Sequence, residues 1–298
     1  MSAHAPFGRM ATAMVTPFDV AGALDLEAAA ALAAYLVDEL GNDALVVNGT
    51  TGESPTTTDD EKSELVRAVV DAVGGRAHVL TGVGTFDTVH SVHLAQAAAK
   101  AGAHGLLVVT PYYSRPPQAG LLQYFRTVAD ATDLPVMLYD IPGRTGTPIA
   151  TETMLCLAEH ERIVAVKDAK GDLAASSQVL AETDLAFYSG DDGMTLPLLA
   201  IGGVGVVGTS THFSGAATKE MIESFGRGDT AEARRLHQRL LPIYRGIFAT
   251  QGCILVKAGL ALLGRPVGSV RPPLVDATAH EISHLRADLA AAGLGTFD

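Results

Sequence analysis

Short apolar runs alternate with amphipathic stretches along most of the chain. Eight apolar runs predict β-strands: Ala11–Val15, Ala44–Val47, His78–Leu80, Gly105–Val109, Val136–Tyr139, Ile163–Val166, Leu185–Tyr188 and Val204–Val207. Eight stretches that follow them predict helices: Leu26–Leu40, Asp59–Val73, Thr88–Ala101, Ala119–Ala131, Thr151–Ala158, Leu173–Ala181, Met194–Ala200 and Ala216–Phe225. A strand that is covered on both faces of a parallel sheet is apolar throughout, and a helix usually connects it to the next strand. The pattern therefore predicts repeated βα units.

Eight strands that are each followed by a helix predict an α/β fold, a closed (β/α)8 TIM barrel over residues 1–226. An open doubly wound sheet usually has fewer strands and reverses its strand order. After Gly226 the pattern becomes helical without further strands: Thr230–Ala249, Ile254–Leu263 and Ala279–Ala292. We predict that residues 227–298 form a C-terminal helical domain, which packs against the barrel or a partner subunit.

Composition narrows the class of protein. Hydrophobic residues make up 48% of the 298 residues and charged residues 18%, as in an ordinary soluble globular protein. The net charge of −12 argues against nucleic acid and anionic membranes as partners. No apolar run approaches the roughly 18 residues of a membrane span, and residues 1–10 resemble no secretory leader, so we expect a cytoplasmic protein. Cys156 and Cys253 suggest neither a disulfide framework nor a metal site.

The sixth apolar run, Ile163–Val166, ends in Lys167. Burial at the end of a strand disfavours the charged form of lysine, so the neutral, nucleophilic amine becomes accessible near neutral pH. That chemistry leads to Schiff bases with carbonyl compounds. A lone lysine at such a position more often extends to solvent or pairs with a neighbour such as Asp168. The neighbouring strand ends must decide between these interpretations.

In a TIM barrel the active site lies at the carboxyl ends of the strands. The loop Asn48–Ser54 contains Gly49-Thr50-Thr51-Gly52, whose backbone N–H groups and hydroxyls could converge on a carboxylate or phosphate, or could form an ordinary turn. Tyrosines follow the fourth strand at Thr110–Tyr113 and end the fifth at Tyr139, with Arg144 shortly after. A phenol can relay protons, and a guanidinium can bind a carboxylate through two hydrogen bonds.

Tyr139 and Lys167 end adjacent strands about 4.8 Å apart, so we expect their side chains to meet. If Lys167 points into the barrel, alternation along the strand turns Ala165 inward and turns Val164 and Val166 toward the helices. Lys170 is the rival amine, but it follows the apolar run in a loop, where solvent should keep it charged.

With these residues assembled, the chain resembles the dihydrodipicolinate synthase (4-hydroxy-tetrahydrodipicolinate synthase) family of pyruvate-dependent class I lyases. Five motifs share the family's order and spacing: Gly49–Glu53, Thr110–Tyr113, Tyr139 with Pro142 and Arg144–Gly146, Val166-Lys167, and Ser189–Asp192. The resemblance covers essentially the whole chain. It implies that Lys167 forms a Schiff base with pyruvate, and that the resulting enamine attacks L-aspartate-4-semialdehyde, with cyclisation, in lysine and diaminopimelate biosynthesis. It implies no cofactor and no metal.

The resemblance also assigns roles to the neighbours of Lys167. Thr51, Tyr139 and Tyr113 would form a proton relay, in which Tyr113 crosses from an adjacent subunit of a homotetramer. The residues implied to bind substrate are Thr50 and Thr51 for the pyruvate carboxylate, Arg144 for the aldehyde's carboxylate, the carbonyl of Val207, and Gly190.

Several positions depart from the family pattern. Asp168 stands where glutamate is commoner, and Lys170 replaces a small hydroxyl residue. The eighth strand continues Val206-Val207-Gly208-Thr209 where the family commonly has an isoleucine-serine pair. The positions of the lysine-feedback site in lysine-sensitive members hold Asp59, Lys62, Phe86 and His90. We therefore predict weak or absent inhibition by lysine.

Other motifs are coincidental matches. His280–His284 fits the H-E-x-x-H pattern of zinc proteases, but no suitable third ligand follows and the helix lies away from the barrel mouth. Gly203–Gly208 fits a dinucleotide-binding pattern but overlaps a strand. His90 and His93 lie one helical turn apart, an arrangement commoner on a solvated helix face than at a metal.

Two functional alternatives remain: a sister aldolase acting on a sugar-type 2-keto acid, and a non-catalytic barrel that binds 2-keto acids.

Overall fold

The computed structural model describes residues 4–295; the predicted domains also include residues 1–3 and 296–298, which lie outside the described residues. Eight parallel strands form a closed barrel in sequence order. The strands are β1 Met10–Ala13, β2 Ala44–Val47, β3 His78–Gly82, β4 Gly105–Val109, β5 Val136–Asp140, β6 Ile163–Asp168, β7 Ala186–Ser189 and β8 Gly205–Gly208. The predicted TIM barrel is confirmed.

Helices cover the outside of the barrel and form the C-terminal segment. They are α1 Leu26–Ala34, α2 Asp59–Val73, α3 Thr88–Lys100, α4 Gln118–Ala129, α5 Pro142–Thr145, α6 Thr151–Ala158, α7 Leu173–Glu182, α8 Thr195–Ala200, α9 Thr211–Gly226, α10 Thr230–Gly246, α11 Gly252–Leu262 and α12 Ala279–Ala291. Within the C-terminal segment, α10 packs on α9 and α12, and α11 packs on α9 and α12. Among the helices of residues 4–295, none is both long and apolar enough to cross a membrane.

The largest differences from the predicted elements concern ends and irregular turns. Residues Tyr35–Glu39 form a π-helical turn after α1. The short α5 was not predicted; Pro142 begins it, and Gly146, in a left-handed conformation, ends it. Strand β6 continues through Lys167 to Asp168, because pairing with β5 and β7 extends that far. The lysine therefore lies within the strand, where its backbone is fixed on both sides.

Two apolar layers surround the strands. The outer layer packs the outward strand residues against the helices and is the larger. The inner layer fills the barrel and includes small side chains such as Ala11, Ala13 and Ala165. Small residues near the axis leave space at the carboxyl ends of the strands, where polar side chains line a cavity.

Candidate active site

A cavity opens at the carboxyl ends of β2 to β5. Its volume is about 210 Å³, and its lining includes Asn48, Thr50, Tyr112, Tyr139 and Arg144. Sites for drug-sized ligands commonly measure about 300–1,000 Å³, so this cavity suits a smaller substrate. The polar lining combines a hydroxyl, phenols and a guanidinium at the face where barrel enzymes carry out their chemistry.

Lys167 and Tyr139 lie side by side, as predicted. Their backbones pair across β5 and β6, and the Lys167 Nζ atom lies 4.4 Å from the centroid of the Tyr139 ring. Burial lowers the pKa of the Lys167 amine to about 8, although the Asp192 carboxylate raises it; the Arg144 guanidinium lowers it further. Relative to an ordinary lysine, the neutral amine is therefore roughly 300-fold more abundant at pH 7.

The alternative interpretation of Lys167, as a lysine that extends to solvent or pairs with Asp168, does not fit this geometry. Its side chain is only 4% exposed, so it does not extend to solvent. Asp168 points away from it and accepts hydrogen bonds from the Ser176 hydroxyl at 2.5 Å and the Lys170 backbone N–H at 2.9 Å. Lys167 is therefore a buried amine that faces the interior of the barrel.

The expected alternation along β6 is confirmed in part. Ala165 belongs to the inner layer and Val166 to the outer one, as predicted. The prediction for Val164 is wrong, because this side chain packs against the inner layer. The register between β5 and β6 shifts after Val136, and this bulge places two consecutive residues on the same side.

The loop after β2 presents its two threonines differently. Burial raises the pKa of the Tyr139 phenol to about 12, while Arg144 and a hydrogen bond with the Thr50 side chain lower it. The Thr51 hydroxyl instead lies 3.5 Å from the Thr209 hydroxyl, after β8. The expectation that Thr51 would contact Tyr139 therefore finds no support: successive residues of this turn point in different directions, and Thr50 is the phenol's partner.

Arg144 lies on α5 and is exposed at the cavity. No ion pair within residues 4–295 occupies its guanidinium. The Thr145 hydroxyl fixes the short helix by donating to the carbonyl oxygens of Ile141 or Thr147, each at 3.1 Å. The structure thus places an accessible cation within electrostatic reach of both Tyr139 and Lys167, as a carboxylate-binding residue requires.

Tyr113 does not join the other site residues within one chain. Its side chain is 94% exposed, and it is not among the residues that line the cavity. Its backbone has a left-handed φ of 71°, which is unusual for a residue with a β-carbon. The neighbouring Tyr112 does line the cavity and packs edge to face against Phe86, with ring centroids 5.6 Å apart.

The ends of β7 and β8 form the other side of the site. Gly190 lies against the lysine: a β-carbon at this position would come 3.1 Å from Lys167 Cγ. Val207 is fully buried in β8, paired with Ala11 of β1. Asp192 was not singled out from the sequence. Its buried carboxylate accepts the N–H groups of Thr209 and Ser210 and raises the pKa of Lys167; its place in the Ser189–Asp192 motif was the available signal.

Residues 6–292 match the model of the dihydrodipicolinate synthetase family. The chain belongs to this family. It is 70% identical over 293 residues to the 4-hydroxy-tetrahydrodipicolinate synthase of Acidothermus cellulolyticus, covering 98% of this chain and 95% of that one. It is 58% identical over 289 residues to 4-hydroxy-tetrahydrodipicolinate synthase 2 of Streptomyces coelicolor, covering 97% and 96%.

A solved structure agrees closely with the fold. Dihydrodipicolinate synthase from Cyanidioschyzon merolae, crystallised with lysine bound, has a TM-score of 0.95 at 46% identity and covers 97% of this chain and 99% of its own. Dihydrodipicolinate synthetase family members are lyases of amino-acid biosynthesis, and this chain is an enzyme of that class. The predicted family and the predicted class of enzyme are confirmed.

Lys170, which departs from the family pattern, has a defined place. Its side chain is only 19% exposed, so the expectation of a solvated loop lysine is wrong. Its Nζ atom lies 3.6 Å from the buried Asp140 carboxylate, because the chain after β6 folds back beside β5. Burial raises the pKa of Asp140 to about 6, and Lys170 lowers it. The positive charge of Lys170 therefore stabilises the buried Asp140 carboxylate, on the helix side of the strands.

The glutamate of the H-E-x-x-H motif in the C-terminal segment caps the helix that carries it. Glu281 and Thr278 form a capping box at the start of α12, in which the Glu281 carboxylate accepts the Thr278 N–H at 2.7 Å. The carboxylate that a zinc protease would use as a base is thus engaged at a helix end. Across residues 4–295, no group of three or more potential ligands is arranged to hold a metal ion.

Proposed function

We propose that this chain is a 4-hydroxy-tetrahydrodipicolinate synthase, which condenses pyruvate with L-aspartate-4-semialdehyde through a Schiff base on Lys167. One observation carries the proposal: the buried Lys167 amine, with a pKa lowered to about 8, lies over the ring of Tyr139, which lines the cavity together with Arg144. The names of the relatives support the same reaction.

The reaction begins when the neutral Lys167 amine attacks the ketone carbon of pyruvate and water leaves. The imine makes the methyl group acidic, and its loss of a proton gives an enamine without any metal or cofactor. The enamine carbon forms a bond to the aldehyde carbon of the semialdehyde. The substrate's own amine then displaces the Lys167 amine from the imine carbon, which closes the ring and regenerates the enzyme.

The neighbours of Lys167 divide the work of moving protons and holding carboxylates. Tyr139 and Thr50 are placed to carry protons to and from the reacting oxygen and nitrogen, since their side chains are linked. Thr51, beside Thr209, binds the pyruvate carboxylate together with backbone N–H groups. The carbonyl of Val207 and the open face of Gly190 border the bound pyruvate. Arg144 binds the carboxylate of the aldehyde substrate.

Tyr113 completes the relay from a second subunit. An exposed aromatic residue in an unfavourable backbone conformation, beside a cavity that it does not line, is suited to reach into a neighbouring copy. We propose a homotetramer in which each site receives Tyr113 from an adjacent subunit. The proposed location is the cytoplasm, where its substrates are metabolites.

The runner-up is a sister aldolase that handles a sugar-type 2-keto acid. Arg144 disfavours it, because a guanidinium suits an amino-acid carboxylate better than a neutral polyol. A non-catalytic sensor of 2-keto acids would not need a buried amine with a lowered pKa.

Product formation distinguishes these functions. The purified enzyme is incubated with pyruvate and either L-aspartate-4-semialdehyde or a panel of sugar aldehydes, and consumption of pyruvate is followed. We expect turnover with the semialdehyde and little with the sugars. Turnover with sugars alone would support the runner-up, and no turnover with any aldehyde, although pyruvate binds, would support the sensor.

A further inference from the structure

Glu53 ends the turn that carries Thr50 and Thr51, and its conformation is unusual. Its backbone has a left-handed φ of 54°, which costs energy in a residue with a β-carbon. Its side chain is 0% exposed. A buried carboxylate is unfavourable unless a charge or hydrogen bonds compensate it. The partners of Glu53 are therefore part of what keeps this turn in place.

Both partners belong to the C-terminal segment. The Lys257 Nζ atom, on α11, lies 2.7 Å from one Glu53 carboxylate oxygen, and the Arg271 backbone N–H donates to the other at 2.8 Å. Lys257 is itself only 4% exposed and also donates to the Ser269 carbonyl at 2.8 Å. We call Lys257 and Arg271 the C-terminal clamp.

The C-terminal clamp holds the turn at a second point. The Arg271 guanidinium donates to the Thr56 carbonyl at 2.8 Å and pairs with both carboxylate oxygens of Glu61, in the first turn of α2. Both cations also lie over the ring of Phe18, at 4.3 Å for Lys257 and 4.0 Å for Arg271. The segment from Glu53 to α2 is thus held from outside the barrel.

The clamp residues do not line the cavity, so they act on the reaction only through the turn. Thr50 and Thr51 lie two or three residues before Glu53, and a displacement of about 1 Å in a positioning group can cost about 100-fold in rate. Resting on the proposed function, we propose that Lys257 and Arg271 are positioning residues: by holding Glu53, they keep Thr51 in the geometry that binds pyruvate.

The test compares two C-terminal cations. Lys257→Met removes the buried ammonium at similar volume, whereas Arg265→Met removes a cation that pairs with Glu39 at the surface, away from the turn. We expect Lys257→Met to raise KM for pyruvate about tenfold or more, with KM for the semialdehyde changed less than about twofold, because Arg144 is held elsewhere. Arg265→Met should leave both values near those of the wild type.

The outcomes separate the two proposals. A folded Lys257→Met enzyme with an unchanged KM for pyruvate would overturn the clamp, as would an equal rise in both KM values. If Lys257→Met does not fold, the double variant Glu53→Gln with Lys257→Met removes both buried charges; it should fold and still show the selective rise. If the wild type forms no imine with pyruvate, the proposed function fails, which is a different result.

Discussion

Burial gives Lys167 its chemistry at the scale of single residues. The side chain ends inside the barrel, where desolvation outweighs the attraction of the Asp192 carboxylate and lowers the pKa of the amine to about 8. The same burial raises the pKa of Tyr139 to about 12, so the phenol is held as a proton donor beside the amine. One environment thus prepares a nucleophile and an acid.

The two threonines of the turn should have separable effects. Thr50→Val removes the hydroxyl that hydrogen-bonds Tyr139, so we expect kcat to fall by about 100-fold while KM for pyruvate changes little. Thr51→Val should mainly raise KM for pyruvate, because that hydroxyl faces Thr209. Steady-state kinetics of both variants measure kcat and KM for pyruvate. The reverse pattern would return Thr51 to the proton relay.

Residue types and spacing were enough to find Lys167, Tyr139, Thr50 and Arg144, since each lies at a strand end or soon after one. They did not reveal the partner of Tyr139 or the bulge that turns Val164 inward, because both depend on contacts between strands. The role of Lys170 was also hidden. Its partner is 30 residues away in the chain, on another strand.

At the scale of elements, the strands were predictable because a doubly covered parallel strand must be apolar. All eight predicted strands begin within one residue of the observed ones. Strands β3, β5 and β6 are longer than predicted because their pairing continues past the apolar run. The helix α5 escaped prediction because four residues show no periodicity. That element carries Arg144, so its position could not be known from the pattern.

The first turns of α2 and α3 bear on feedback by lysine. The Lys62 ammonium is held there, donating to the carbonyls of Ser54 and Thr57 at 2.9 and 2.5 Å, and the Asp59 carboxylate is paired with His90 at 2.9 Å. A fixed cation and an occupied carboxylate disfavour a second, diffusible ammonium.

We therefore expect sub-millimolar lysine to leave the initial rate unchanged. An activity titration with lysine measures this. As the control, lysine is added to the coupling enzymes of the assay alone. Strong inhibition in that range would show that these positions bind lysine despite the charge of Lys62.

At the scale of the whole molecule, the site is divided among distant parts of the chain. The barrel supplies Lys167, the turn after β2 supplies the threonines, and C-terminal residues hold that turn. Tyr113 is the remaining proposed component, and its side chain is exposed. The sequence predicted the barrel and the helical segment, but the contacts between them arise only from tertiary packing.

Mixed assemblies test the exchange of Tyr113 between subunits. Tyr113→Phe and Lys167→Ala each remove one component, so we expect each variant to be nearly inactive alone. When they are co-expressed in equal amounts, random assembly should restore about a quarter of the wild-type sites. The two purified variants mixed without subunit exchange serve as the control. Verified mixed oligomers with no recovered activity would place the full relay within one chain.

Chemical trapping detects the proposed imine on Lys167 directly. The enzyme is treated with pyruvate and borohydride, and the modified lysine is located by peptide mass spectrometry, with Lys170→Arg as the matched variant. We expect one reduced pyruvyl group, on Lys167, in the wild type and in Lys170→Arg, with a trapping rate that rises with pH through about 8 as the amine loses its proton. A pyruvyl group on Lys170, or none on any lysine, would contradict this expectation.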